Sequence, residues 1–180
     1  MDELSLNILD IAYNSLRAHA SLISISIIDS QKDNILKMII EDNGDGMSQE
    51  TLNKVIDPFY TTRTTRTVGL GIPLLKQNAE LTGGYLHIDS QLNVGTKLEA
   101  VFIKNHIDTP ILGDLEETMM TLIQADENVD YQLTYTNDLK SFQLDTREIK
   151  DILKDVSIVE PEVLIWLKDY MKEGLALWNL

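Results

Sequence analysis

No cysteine occurs among the 180 residues, which excludes disulfides, thiolate metal centres and thiol nucleophiles and fits a reducing cytoplasm, the expected location. Basic side chains are scarce: 15 Lys and Arg stand against 29 Asp and Glu, a formal charge of −14. Clustered cations drive binding to phosphate backbones and anionic lipids, so neither nucleic acid nor membrane is expected as a partner. No apolar run approaches the ~18 residues that a membrane helix needs. Met1 is followed by Asp2 and Glu3, the wrong sign for the cationic start of an export signal. The three histidines, His19, His87 and His106, are too scattered for a metal cluster. A Walker A sequence is missing, and Gly69-Leu70-Gly71 lacks the later glycine of a dinucleotide fingerprint.

What is present divides in two. Residues 1–106 carry 13 acidic and 9 basic side chains, while 107–180 carry 16 and 6, so the acidity is concentrated in the tail. Leu6, Leu9, Tyr13, Leu16 and Ala20 recur at helical spacing and predict an opening helix with that stripe buried. Asp10, Asn14 and Arg17 then share a neighbouring face. Alternation at 22–28 and an apolar run at 35–40 predict two strands. A helix follows at about 48–55, then an aperiodic loop through DPFYTTRTTRTVGLG, then a helix from Ile72 stopped by Gly83-Gly84. Strands at 85–90 and 97–103 complete an α+β two-layer sandwich, with helices on one face of a mixed, mostly antiparallel sheet. Residues 107–180 read as a small α+β appendage: a helix from Asp114-Leu115-Glu116-Glu117 with the stripe Leu115, Thr118, Met119 and Leu122, a hairpin across Asn137-Asp138, and two helices. The aromatics of the last helix, Trp166, Tyr170 and Trp178, read as core.

EDNGDGM at 41–47 is the segment with the most chemistry. A calcium loop can be laid on Glu41, Asn43, Asp45 and Gly46, but the bidentate glutamate it needs at its twelfth position falls on Leu52, so that reading fails. Alone the segment is a turn, because Asn-Gly and Asp-Gly are the commonest turn pairs. Its company changes the reading: ILDIAYNSLRAHA lies upstream, and DPFYTTR, VGLGIPLLKQNAELTGGYLHIDS and NVGT lie downstream, in that order. With these motifs residues 4–104 resemble the ATP-binding domains of the GHKL superfamily, the group of DNA gyrase, Hsp90, histidine kinases, anti-sigma serine kinases and MutL. The resemblance implies the histidine kinase-like (Bergerat) fold for residues 1–106 and leaves 107–180 as an acidic tail domain without an assigned role.

The same resemblance implies ATP and Mg²⁺ as ligands and assigns residues one by one. Asn14 supplies a hard amide oxygen to the metal. Asp10 stands where the ATPase branches keep a glutamate that orients water, and it reads either as a shorter general base or as a solvated helix charge. Arg17 stands where many histidine kinases keep a lysine facing phosphate. Asp42 accepts from the adenine amino group, Gly44 and Gly46 let backbone approach the purine, Met47 forms an apolar wall, and Thr96 shares a water with Asp42. Val68, Gly69, Leu70 and Gly71 form the phosphate end, where free N–H groups and a helix dipole attract anions. Phe59 resembles the phenylalanine that packs beneath the lid, and Arg63 and Arg66 are candidates to reach phosphate. The family pattern GxGLG is broken at its first glycine by Thr67.

Two functions stay open at this stage. One is catalysis, with ATP hydrolysed or its γ-phosphate passed to a protein; the other is a nucleotide-gated binding module without significant turnover. A scaffold with a vestigial pocket is a third class, which predicts no ATP binding. The first motif begins within ten residues of Met1, so a stand-alone short-lid module is expected, nearest the anti-sigma kinases and detached kinase domains. The tail stretches FQLDTREIKDIL and PEVLIWLKDYMKEGL look like those of small ATP-binding proteins encoded near iron-only hydrogenase subunits in anaerobic bacteria. That likeness implies a protein partner in a redox or hydrogenase-associated complex.

Overall fold

The computed structural model describes residues 3–56 and 70–176. Its elements run in the order α1 (Leu4–Arg17), β1 (Leu22–Ser30), β2 (Ile35–Asp42), α2 (Gln49–Ile56), α3 (Gly71–Leu81), β3 (Tyr85–Gln91), β4 (Gly95–Ile103), α4 (Leu115–Ala125), β5 (Asp130–Asn137), β6 (Ser141–Asp145), α5 (Thr146–Leu153) and α6 (Pro161–Ala176). The alternation that predicts strands also decides which face is covered. Ile23, Ile25 and Ile27 of β1, Leu36, Met38 and Ile40 of β2, and Leu98, Ala100 and Phe102 of β4 all turn to the helix side and are buried. A period of two makes this automatic once one residue of each strand is placed.

Among the described residues the strands belong to one sheet, ordered β3-β4-β2-β1-β5-β6. Every neighbouring pair is antiparallel except β1 with β5, which run parallel from Leu22↔Asp130 to Asp29↔Asn137. The acidic tail therefore continues the same sheet, and α4 packs on α1 while α6 packs on α4. Tail backbone also completes α1. Leu4 and Ser5 donate their N–H groups to the carbonyls of Ile111 and Leu112 at 2.8 and 2.9 Å, filling a helix start that has no side-chain cap.

Helix α1 turns differently from its expected register. Leu6 is exposed and Leu9, Tyr13 and Leu16 are half-buried, whereas Leu4, Ile8, Ile11, Ala12 and Ser15 form the buried stripe. The helix is wedged among the sheet, α3 and α4. Both stripes have helical spacing, and the one containing a serine faces the core. In α6 the aromatics also differ from expectation: Leu167 and Met171 are the buried residues, while Trp166 and Tyr170 are exposed. Trp178 lies outside the described residues.

Candidate functional site

Three adjacent strands end their inward stripes with a polar residue at the same end of the sheet. Ile40 is followed two residues on by Asp42, Leu98 is preceded by Thr96, and Ile88 is followed by Ser90. Register places Asp42 opposite Thr96 and Thr96 opposite Ser90. Over these residues opens a cavity of about 300 Å³ whose walls are Ile11, Ile40, Val55, Ile72, Ile88 and Leu98, with Asn14, Ser15, Arg17, Ala18, Gly46 and Met47 around it. An apolar slot with a carboxylate at its floor suits a flat, partly polar ring.

Asp42 is fixed at both oxygens. Ser15 donates its hydroxyl to Oδ2 at 2.5 Å, and the Gly44 N–H donates to Oδ1 at 2.9 Å. The first bond joins α1 to the end of β2, so the helix and the floor of the cavity move together. Hydrogen bonds to both oxygens hold the carboxylate's lone pairs in place.

EDNGDGM makes this possible as a strap between two other loops. The Asn43 side chain accepts from the N–H groups of Ser21 and Leu22, both at 2.9 Å, and donates to the Ser21 hydroxyl. Asp45 donates its N–H to the Ala18 carbonyl at 2.7 Å and accepts from Asn93 N–H at 2.7 Å, tying the segment to the ends of α1 and of β3. Gly46 has φ +64°, and a Cβ there would lie 1.9 Å from the Gln91 carbonyl oxygen. Only glycine fits that left-handed, crowded position. Met47 donates its N–H to Ser90 Oγ, whose hydroxyl also bonds Thr96 Oγ1 at 2.8 Å.

Of the residues expected from sequence, Asn14, Arg17, Asp42, Gly46, Met47 and Thr96 line the cavity together. Gly44 is buried behind Asp42, where a Cβ would meet the Ala18 carbonyl at 2.5 Å. Asp10 lies beside the cavity, with its carboxylate against the first residue of α3: a Cβ on Gly71 would fall 1.8 Å from Asp10 Oδ2. Leu70 precedes α3 and is exposed. Phe59, Arg63, Arg66, Thr67, Val68 and Gly69 lie outside the described residues. Sequence reasoning did not reach Ser15, Ala18 or Ser90. Strand parity could have supplied Ser90, which shares the inward face of Ile88, whereas nothing local marks Ser15.

The fit to a nucleotide and to a metal differs. The cavity offers an apolar slot, a clamped carboxylate and the N-terminal end of α3, a donor set matched to a purine with phosphates. For a divalent cation Asn14 offers one hard oxygen. That Oδ1 now accepts from the Arg17 guanidinium at 2.7 Å. Among the described residues no group of three or more His, Asp or Glu is placed to hold a metal unaided, so remaining ligands would come from phosphate oxygens and water. Among the same residues no helix is long and apolar enough to cross a membrane.

Known proteins resemble this chain in sequence and in fold. The chain is 30% identical over 95 residues to the sensor histidine kinase YvrG of Bacillus subtilis and 34% identical over 99 residues to sporulation kinase D of the same organism. Those stretches cover 51% and 54% of this chain but 16% and 19% of the two kinases, so it spans less than a fifth of either. A solved Aquifex aeolicus MutL ATPase domain complexed with ADP superimposes with a TM-score of 0.54 at 13% identity, over 86% of this chain and 70% of that one, a likeness of fold. Residues 1–106 match the family model of the histidine kinase-, DNA gyrase B- and HSP90-like ATPases, and the chain belongs to that family.

Proposed function

We propose that this chain binds ATP with Mg²⁺ and either hydrolyses it or passes its γ-phosphate to a protein. The observation that carries the reading is Asp42, clamped by Ser15 and Gly44 at the floor of an apolar cavity. Its outward lone pairs accept the exocyclic amino group of adenine, while Ile40, Leu98 and Met47 cover the ring faces. Arg17 leaves Asn14 Oδ1 for phosphate, which frees that oxygen for the cation. Asn14 would hold magnesium through its amide oxygen, and the ion would supply positive charge against the charge developing on phosphate. Asp10, held against the start of α3, takes the proton of the attacking water or hydroxyl. The names of the curated relatives, a sensor histidine kinase and a sporulation kinase, support a protein as acceptor.

A second reading, a nucleotide-gated module without turnover, is favoured by two features. The Asn14 oxygen is occupied by Arg17, and Asp10 is shorter by one methylene than the glutamate that the resemblance to the ATPase branches implies at this place. Calorimetric titration with a non-hydrolysable ATP analogue and Mg²⁺ tests the shared core: wild type binds, and D42N binds at least tenfold more weakly, about the value of one hydrogen bond to a charged group. Absence of binding by wild type rejects both readings, and undiminished binding by D42N rejects Asp42 as the group that reads adenine. Phosphate release that is present in wild type and absent in N14A supports catalysis, and binding without release supports the gated module.

A further inference from the structure

Helix α6 has an outward face that packing does not explain. Glu162, Trp166, Asp169 and Tyr170, and Glu173 fall on successive turns of one helix face, Trp166 standing three and four residues before Asp169 and Tyr170, so they form one exposed stripe. Trp166 is 52% and Tyr170 41% exposed. The rings are nonetheless fixed. Phe142 of β6 is buried and lies 5.5 Å from Tyr170 at 47°, and Tyr170 lies 5.4 Å from Trp166 at 12°, a ladder of three rings leading from the core to the surface. Tyr170 donates its hydroxyl to the Gln143 carbonyl on the edge strand at 3.5 Å. Gly174 makes room for the ladder, since a Cβ there would meet the Phe142 ring at 2.1 Å.

Charge is sorted around the ladder. The cations of α6 stand on its other flank: Lys168 pairs with Glu117 of α4 at 3.6 Å, and Lys172 lines the cleft between α4 and α6. Among the described residues the carboxylates of Glu162, Asp169 and Glu173 take part in no ion pair.

We propose that this stripe of α6 is a docking surface for a cationic protein segment, with a lysine or arginine seated on the open face of Trp166 and paired with the flanking carboxylates. An aromatic face attracts a cation electrostatically, and rings already held in place lose little freedom on binding. The excess of acid over base in the tail steers a basic partner toward it. A second copy of this chain is disfavoured, because a two-fold contact through the stripe sets like charges against each other. The inference is independent of the nucleotide reading, as α6 lies over β6 at the far end of the sheet from β3.

The test uses the full chain and a labelled amphipathic peptide rich in lysine and arginine, followed by fluorescence anisotropy against the same peptide with glutamate in place of each cation. Wild type binds the cationic peptide and not the anionic one. W166A, with net charge unchanged and its fold checked by circular dichroism, binds about tenfold more weakly. D169N/E173Q weakens binding and flattens its salt dependence, whereas the charge-matched E80Q/D89N, on α3 and β3, binds as wild type does. Absence of binding by wild type overturns the proposal. So does equal weakening by the two charge-matched doubles with W166A unaffected, because the attraction is then bulk charge. A self-dimer seen by sedimentation and dissolved by W166A assigns the stripe to a second copy and overturns it as well.

Discussion

Asp42 holds both of its carboxylate oxygens in internal hydrogen bonds, one from a helix hydroxyl and one from a loop amide. That double clamp is a residue-scale cause with a residue-scale test. Ser15→Ala removes the helix donor and leaves the carboxylate, so ADP affinity falls by roughly tenfold, the size of one charge-assisted hydrogen bond, while preference for adenine persists. Isothermal titration of the variant checks this, and unchanged affinity refutes the clamp. The sequence made Asp42 legible through its motif and through parity with Leu36, Met38 and Ile40. Ser15 was not legible, because its partner lies 27 positions away and a serine within an apolar helix reads as an interruption. The strap role of Asn43 was hidden for the same reason: the groups it bonds, on Ser21 and Leu22 at the start of β1, lie more than twenty positions away.

At the scale of elements, spacing located the helices and strands of the described residues, and facing was harder than existence. In α1 two stripes have helical period, and bulk favours Leu6, Leu9, Tyr13 and Leu16, yet the stripe that faces inward includes Ser15 because the site needs its hydroxyl there. In α6 the aromatics are the bulkiest side chains and read as core, although Leu167 and Met171 hold the helix down. Start signals were more dependable, since a cap is local chemistry: Asp114 accepts from Glu117 N–H and Asp145 from Arg147 N–H. Asp145 also receives the Arg147 guanidinium, and this pairing, with help from Gln132, pushes its pKa down to about 2. A carboxylate with a lower pKa folded than unfolded stabilises the fold at pH values above its unfolded pKa, and that contribution disappears as pH falls through about 2. D145N therefore lowers stability at pH 7, by about 1 kcal/mol once solvent screening of the exposed Arg147 is allowed for, and its gap from wild type narrows toward pH 3. Urea denaturation at the two pH values measures it; a gap independent of pH contradicts the assignment.

For the whole molecule, composition suggested a break near residue 106, and the family model ends there. The sheet does not, because pairing partners are set by long-range register that charge cannot reveal. β5 pairs with β1 over eight residues, α4 packs on α1, and the carbonyls of Ile111 and Leu112 complete the start of the helix that carries Asn14 and Ser15. A 1–106 fragment loses all three supports, so it is expected to lack a cooperative thermal transition. A fragment that melts cooperatively within a few degrees of the full chain would show that the tail is dispensable. The central claim is that one carboxylate reads one amino group, and base discrimination tests it most directly. Competition between ADP and GDP should show wild type preferring ADP by at least tenfold and D42N losing that preference. Equal binding of both bases by wild type, or an adenine preference that survives D42N, would contradict it.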